Sequence, residues 1–135
     1  MKNLIYPIAV AAFALSACSK KADEPLLPGT IPPPAAKANV TFDADIKAIL
    51  EKTCFECHGE KKQKGELRLD SREAAIAGSE HGPVFEIGKS LESVLVTNVS
   101  RVGIEDDWMP PIDKGDPLTL EEVALIRAWI DQGAK

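Results

Sequence analysis

Two cysteines and a histidine, Cys54, Cys57 and His58, form a C-x-x-C-H motif near the middle of the 135-residue chain. This spacing is the attachment signature of a c-type haem, in which both thiols bond to the porphyrin and the histidine ligates the iron. Residues three apart on a helical turn share a face, so both thiols can reach one edge of the ring. The sequence therefore predicts one covalently attached haem c, with His58 as an axial ligand.

Two other chemistries use parts of the same motif. A redox dithiol also reads C-x-x-C, but it requires a βαβ context that is not visible around residues 40–70. A zinc site would combine the motif with His81, but adjacent residues such as Cys57 and His58 rarely converge on one tetrahedral ion, and the usual zinc spacings are absent. A dithiol oxidoreductase and a zinc site stay as the alternatives to haem.

Met109 is the predicted second axial ligand. Apart from Met1, which leaves with the predicted signal, it is the one methionine of the chain, and two prolines follow it. Prolines stiffen the backbone and have no N–H to satisfy, whereas core methionines usually lie on apolar helices or strands. The remaining histidine, His81, lies in a polar loop and is predicted to be solvated or bonded to a neighbour.

Ligation of the iron by His58 and Met109 predicts one-electron transfer. An iron with six ligands has no vacant position for oxygen or peroxide, and a neutral thioether stabilises the ferrous state. We therefore expect an electron carrier and not an enzyme. The alternative is a haem-based sensor or a peroxidase-like protein in which Met109 is absent from the iron or detaches from it.

The first 17 residues predict an export signal. One charge, Lys2, precedes an apolar run that is too short to span a bilayer but suits a cleaved signal. The sequence Leu15-Ser16-Ala17-Cys18 resembles the lipobox of bacterial lipoproteins, in which the cysteine is lipidated; an ordinary signal with an incidental cysteine is the alternative. We expect a lipid anchor at Cys18, in the cell membrane or the outer membrane, with the protein facing the periplasm.

Residues 18–40 predict a flexible tether rich in proline and alanine. Five prolines and no helical or strand periodicity indicate a semi-rigid polyproline spacer. Residues 41–135 are predicted to form one domain. With Cys18 assigned to lipid and the other two cysteines to haem, no disulfide is left, so a covalent cofactor would have to stabilise the small core.

The spacing of apolar residues predicts an all-α domain. Four helices are expected, over residues 43–52 and 71–77, from Ser90 to about Val99, and from Thr119 to Gly133. Asp70 with Glu73 is the expected capping pair of the second helix, and Thr119 with Glu122 forms a capping box for the last. Residues 100–117 are predicted to form the long loop that carries Met109.

Charge limits the classes of partner. The chain has 16 basic and 21 acidic residues and a formal charge of −5, which argues against binding to nucleic acid or to an anionic lipid surface. We expect a monomer that exchanges electrons with a protein donor and a protein acceptor. Arg68 and Arg101 are candidates to pair with haem propionates, because guanidinium groups suit carboxylates.

Further motifs resemble the planctomycete-type cytochrome c domain. The resemblance covers nearly all of residues 42–134 and implies the all-α mono-haem fold of small c-type cytochromes, with electron transfer as the general role. It implies that Cys54 and Cys57 carry the haem and that His58 and Met109 ligate its iron. Such domains are often the N-terminal part of longer proteins, whereas this one follows a predicted tether. The motifs are Asp45–Leu50, Lys62–Gly65, Leu67–Ala75, Met109–Pro111 and Trp129–Ala134.

Overall fold

Residues 26–135 are described by a computed structural model that is built from helices and loops. The α-helices are α1 (Lys47–Thr53), α2 (Arg72–Ala77), α3 (Val94–Val99) and α4 (Leu120–Asp131). One π-helical turn (Phe42–Ile46) leads into α1, and single 3₁₀ turns lie at Lys64–Glu66, Ser90–Glu92 and Glu105–Asp107. Over these residues no β-strand forms, and the predicted all-α fold is confirmed.

The N-termini of α2 and α4 are each capped by a side chain that accepts a backbone hydrogen bond. In α2 the cap is Ser71 and not the predicted Asp70, because the Asp70 carboxylate is held by Arg68. The Ser71 hydroxyl accepts a hydrogen bond from the backbone N–H of Ala74 at 3.2 Å. The capping box predicted at Thr119 and Glu122 is present at the start of α4.

The third predicted helix starts later than expected. Ser90 does not cap it, because its hydroxyl and its backbone N–H both donate to the carboxylate of Asp131, at 2.9 and 2.8 Å. Residues 90–92 form a separate 3₁₀ turn, and α3 begins at Val94. The bonds to Asp131 instead join this turn to the end of α4.

The core is centred on α4, whose Trp129 is fully buried. The Trp129 ring lies 5.7 Å from that of Phe42 and 5.1 Å from that of Phe85, measured between centroids. Such tilted aromatic pairs add about 0.5–1.5 kcal/mol each beyond their buried area. The indole N–H donates to the carbonyl of Lys135 at 2.9 Å, so the polar end of the ring is satisfied.

The structure differs from the predicted tether over residues 26–40, which we call the arm. The arm lies along the domain, and Leu26 and Val40 at its two ends are buried. The N–H of Ala35 donates to the carbonyl of Ala124 at 2.9 Å, and the guanidinium of Arg127 donates to the carbonyl of Pro32. The composition of residues 26–40 predicted a spacer. It could not reveal these bonds, because they join residues far apart in the sequence.

The predicted signal at residues 1–17, Cys18 and the first part of the predicted tether lie outside the described residues. Between residues 26 and 135, no helix combines the length and the apolar character needed to cross a membrane.

Candidate haem site

The C-x-x-C-H motif forms a tight turn at the end of α1. Cys54 ends the helix, and its N–H donates to the carbonyl of Leu50 at 2.7 Å. The carbonyl of Cys54 then accepts from the N–H groups of both Cys57 and His58, at 3.1 and 2.8 Å. The backbone of the motif is thus held by bonds within a few residues of sequence.

The two thiols of the motif are free, and burial shifts the pKa of Cys54 and of His58. Cys54 and Cys57 are not joined in a disulfide. Burial raises the pKa of the Cys54 thiol, which disfavours the reactive thiolate that a redox dithiol needs. Burial lowers the pKa of His58, which favours the neutral imidazole that ligates metals.

The motif lines a cleft that also contains Met109. The cleft is partly open to solvent and has a cavity volume of about 120 Å³. Cys54, Cys57, His58 and Met109 all line it, so the structure brings together the four residues that the sequence assigned to haem. Most other lining residues are apolar: Leu67, Leu69, Val84, Val94, Leu95, Val99, Pro110 and Pro111.

Met109 is positioned by residues outside its own turn. Its N–H donates to the carbonyl of Asn98, in α3, at 3.0 Å. The guanidinium of Arg101 donates to the carbonyl of Pro110 at 3.1 Å. Gly115 lies close to the Pro110 ring, since a Cβ there would be 3.3 Å from the proline Cγ. Both ends of the 100–117 loop therefore hold the segment that carries the methionine.

The two arginines predicted to contact propionates do not line the cleft. Arg68 donates to both carboxylate oxygens of Asp70, at 3.1 and 2.8 Å, and this pairing lowers the pKa of Asp70. Arg101 is 9% exposed, and its guanidinium lies 5.9 Å from the centre of the Trp108 ring. Arg68 already has an anionic partner, whereas Arg101 has a carbonyl and an aromatic ring.

Unpaired polar atoms are concentrated around the cleft. Within the described part of the chain, four buried side-chain polar atoms have no hydrogen-bond partner. Each belongs either to the motif or to the loop that carries Met109: His58 Nδ1, Ser100 Oγ, Arg101 Nε and Trp108 Nε1. Since buried polar atoms are nearly always bonded, this clustering indicates a polar group in this region that the protein atoms alone do not supply. Of these four residues only His58 lines the cleft, and the largely apolar lining with two thiols, His58 and Met109 fits haem.

His81 lies away from this site. Its side chain is 87% exposed, and its Nε2 is 3.9 Å from a carboxylate oxygen of Glu80. The four residues of the zinc alternative are therefore not brought together. Across residues 26–135, no three His, Cys, Asp or Glu side chains are grouped so as to hold a metal ion.

Among the polar residues of the cleft that sequence reasoning missed are Asn98 and Lys114. Neither belongs to a motif, and only the folding of α3 against the Met109 loop brings them to the site. Lys114 pairs with Asp113 at 2.8 Å, and this neighbour raises the pKa of the lysine.

An apolar cleft lined by a C-x-x-C-H turn on one side and a methionine loop on the other is typical of a c-type cytochrome. Residues 54–113 match the family described as "Planctomycete cytochrome C". This match supports the planctomycete-type cytochrome c domain that the motifs predicted, and such a domain implies covalently bound haem c. The matched residues include the whole motif and Met109.

Two further comparisons, with curated proteins and with solved structures, add no evidence about function. Among curated proteins, none matches the chain. A solved structure of Kuenenia stuttgartiensis hydrazine synthase is similar over 70% of this chain, with 24% sequence identity and a TM-score of 0.44. The chain spans 16% of the length of that protein chain.

Proposed function

We propose that this protein carries single electrons on one haem c that is bonded to Cys54 and Cys57 and ligated by His58 and Met109. The observation that carries the proposal is that these four side chains line one largely apolar cleft. Bound there, haem c supplies reversible exchange between ferric and ferrous iron. The protein's part is to hold both axial ligands, exclude water and keep its geometry nearly constant between the two states.

The surroundings of His58 and of Met109 support their proposed roles as the two axial ligands. The His58 backbone is fixed by the turn that ends α1, since its N–H and its carbonyl are both bonded, to Cys54 and Leu69. Met109 is partly buried and packs against the core, and a neutral thioether favours ferrous iron. With both positions filled by the protein, no site for oxygen or peroxide remains.

For the haem propionates we propose the donors of Arg101 and Trp108. Both Arg101 Nε and Trp108 Nε1 are buried without a partner, and a buried guanidinium without an anion is costly. Arg68 is a weaker candidate because it already pairs with Asp70.

The setting of the electron carrier is part of the proposal. Domains of this family are typically exported. We propose that the chain is anchored by lipid on Cys18, in the cell membrane or the outer membrane, and that the domain acts as a monomer in the periplasm. Its donor and acceptor would be other redox proteins.

Spectroscopy of the purified protein tests the proposal. After expression in a host that matures c-type cytochromes, an acid–acetone wash should leave the haem in place, and the alkaline pyridine spectrum should show the c-type band. The ferric protein should show the thioether-to-iron charge-transfer band and bind cyanide slowly and weakly. A colourless protein would favour the dithiol alternative, and fast, tight cyanide binding would favour a sensor or a peroxidase-like protein.

A further inference from the structure

The arm is bonded to both ends of the loop that carries Met109. At one end, the N–H of Gly29 donates to the carbonyl of Ser100 at 3.1 Å. At the other, the N–H of Leu26 donates to the carbonyl of Leu118 at 3.2 Å. Four residues of the arm, from Leu26 to Gly29, thus join two points that are 18 residues apart along the chain.

Both joined points are buried. Ser100 and Leu118 are fully inaccessible to solvent, and Leu26 is 3% exposed. Without the arm, both carbonyls would lose these hydrogen-bond partners, and the loss of a hydrogen bond destabilises the fold. We call the two ends of the Met109 loop, Ser100 and Leu118, the loop base. The arm is therefore a structural part of the loop base.

The rest of the arm is fixed to α4. Arg127, which is 7% exposed, donates to the Pro32 carbonyl, and its Nε donates to the hydroxyl of Ser90 at 3.0 Å. At the far end, the N–H of Val40 donates to the side chain of Gln132 at 3.0 Å. Because α4 lies at the centre of the core, the arm connects the two ends of the Met109 loop to the core of the domain.

We propose that the arm positions Met109, by holding the two ends of its loop together and so keeping the thioether in the cleft. This inference rests on the proposed role of Met109 as an iron ligand. The arm residues do not touch the cleft, so Leu26 and Gly29 act as positioning residues. The segment predicted to be a spacer thereby becomes part of the ligand-holding structure.

Adjacent leucines provide a matched pair of variants for the test. Leu26 is 3% exposed, whereas Leu27 is 74% exposed. In the full-length holoprotein, Leu26→Asp should reduce the thioether-to-iron charge-transfer band and bind cyanide about tenfold more tightly, because the loop samples open states more often. Leu27→Asp should keep the band and the cyanide affinity of the unmodified protein.

Two milder variants separate positioning from general destabilisation. Leu26→Ala removes the same buried side chain without adding a charge and should change the band in the same direction, while Leu26→Met should restore it. Val40→Ala truncates a side chain that is 1% exposed at the other end of the arm. It should lower the melting temperature without changing the band.

The outcomes distinguish this inference from the proposed function. If the unmodified ferric protein lacks the band, Met109 is not the ligand, and both proposals fail. If the unmodified protein has the band and the Leu26→Asp and Leu26→Ala variants keep it with unchanged cyanide affinity, the inference about the arm is wrong. If Val40→Ala weakens the band as much as Leu26→Ala does, the effect is one of general stability and the inference is also wrong. Should Leu26→Asp fail to fold, Leu26→Ala decides between these outcomes.

Discussion

The two sides of the cleft are built in different ways. On the side of His58, the bonds that fix the backbone span three or four residues at the end of a helix, or reach no further along the chain than Leu69. On the side of Met109, they come from α3, from Arg101 and, through the loop base, from the arm. Short-range structure therefore supplies one proposed ligand, and tertiary structure supplies the other.

This difference has an energetic meaning. Contacts between residues close in sequence lose little chain entropy on forming, whereas closing a long loop costs more. The turn at residues 54–58 can form as soon as α1 ends, but the loop at residues 100–117 needs α3, α4 and the arm in place. We expect the Met109 side to be the first to open when the domain is destabilised.

The largest effect is expected from removing both thiols. The double variant Cys54→Ser, Cys57→Ser should lose its haem completely to acid–acetone and become less stable by more than about 3 kcal/mol, because a tightly held cofactor stabilises the folded state. Absorbance after the wash and urea unfolding measure the two effects. Cys18→Ser is the matched control and should keep its haem; retention of haem by the double variant would refute covalent attachment.

The next effect is expected from the distal ligand. Met109→Leu conserves volume but removes the sulfur, so the midpoint potential should fall by roughly 100 mV, since axial ligands strongly set haem potentials. Cyanide should then bind the ferric protein readily. Ile112→Leu, in the same loop and 56% exposed, serves as the control. An unchanged potential in Met109→Leu would mean that another group, or none, ligates the iron on that side.

Two glycines compare the two sides directly. A Cβ at Gly59 would lie 2.5 Å from the backbone oxygen of Phe55, whereas one at Gly115 would lie 3.3 Å from the Pro110 side chain. Gly59→Ala should therefore cost about 1–3 kcal/mol of unfolding free energy, because the backbone itself must move. Gly115→Ala should cost less than about 1 kcal/mol, because a side chain can shift slightly.

Urea unfolding and cyanide titration measure this contrast. Gly115→Ala should change the free energy of cyanide binding more than the free energy of unfolding, because it acts on the Met109 loop. Gly59→Ala should change the free energy of unfolding more than that of cyanide binding. Equal effects of both variants on both quantities would contradict the division between a local and a tertiary side.

The smallest effect concerns the ion pair between Lys37 of the arm and Asp45 of the π-helical turn that leads into α1. A hydrogen bond from Lys37 lowers the pKa of Asp45 below its ordinary value, with help from the backbone N–H of Thr41. A carboxyl whose pKa is lower in the folded state stabilises the fold above its ordinary pKa. That contribution is lost as the pH falls through the lowered pKa. Lys37 is 53% exposed, so we expect less than about 1 kcal/mol.

The measurement is unfolding by urea at a series of pH values. Asp45→Asn should be less stable than the unmodified protein at neutral pH, and the difference should vanish in strong acid. Asp43→Asn, on the exposed side of the same turn, is the control. A difference that persists in strong acid would assign the effect to packing and not to charge.

The same division explains what the sequence could predict. C-x-x-C-H at residues 54–58 is a local motif whose spacing is dictated by the turn that carries it, so residue types alone predicted it. Met109 was predicted because a single methionine beside two prolines suits no core position. The capping choice between Asp70 and Ser71 could not be predicted, because it depends on where Arg68 points. The arm was missed for the related reason that its partners, Ser100 and Leu118, lie more than 70 residues away in sequence.

If a lipid is attached at Cys18, as we propose, the docked arm also limits how far the domain can lie from the bilayer. Were residues 18–40 all free, the chain would span roughly 70 Å as a polyproline spacer. Because Leu26 is fixed to the domain, only eight positions of chain separate it from Cys18, and eight residues span at most about 27 Å. The domain would then search a thin layer next to the bilayer, so partners that can reach it must present their redox centres close to the lipid surface.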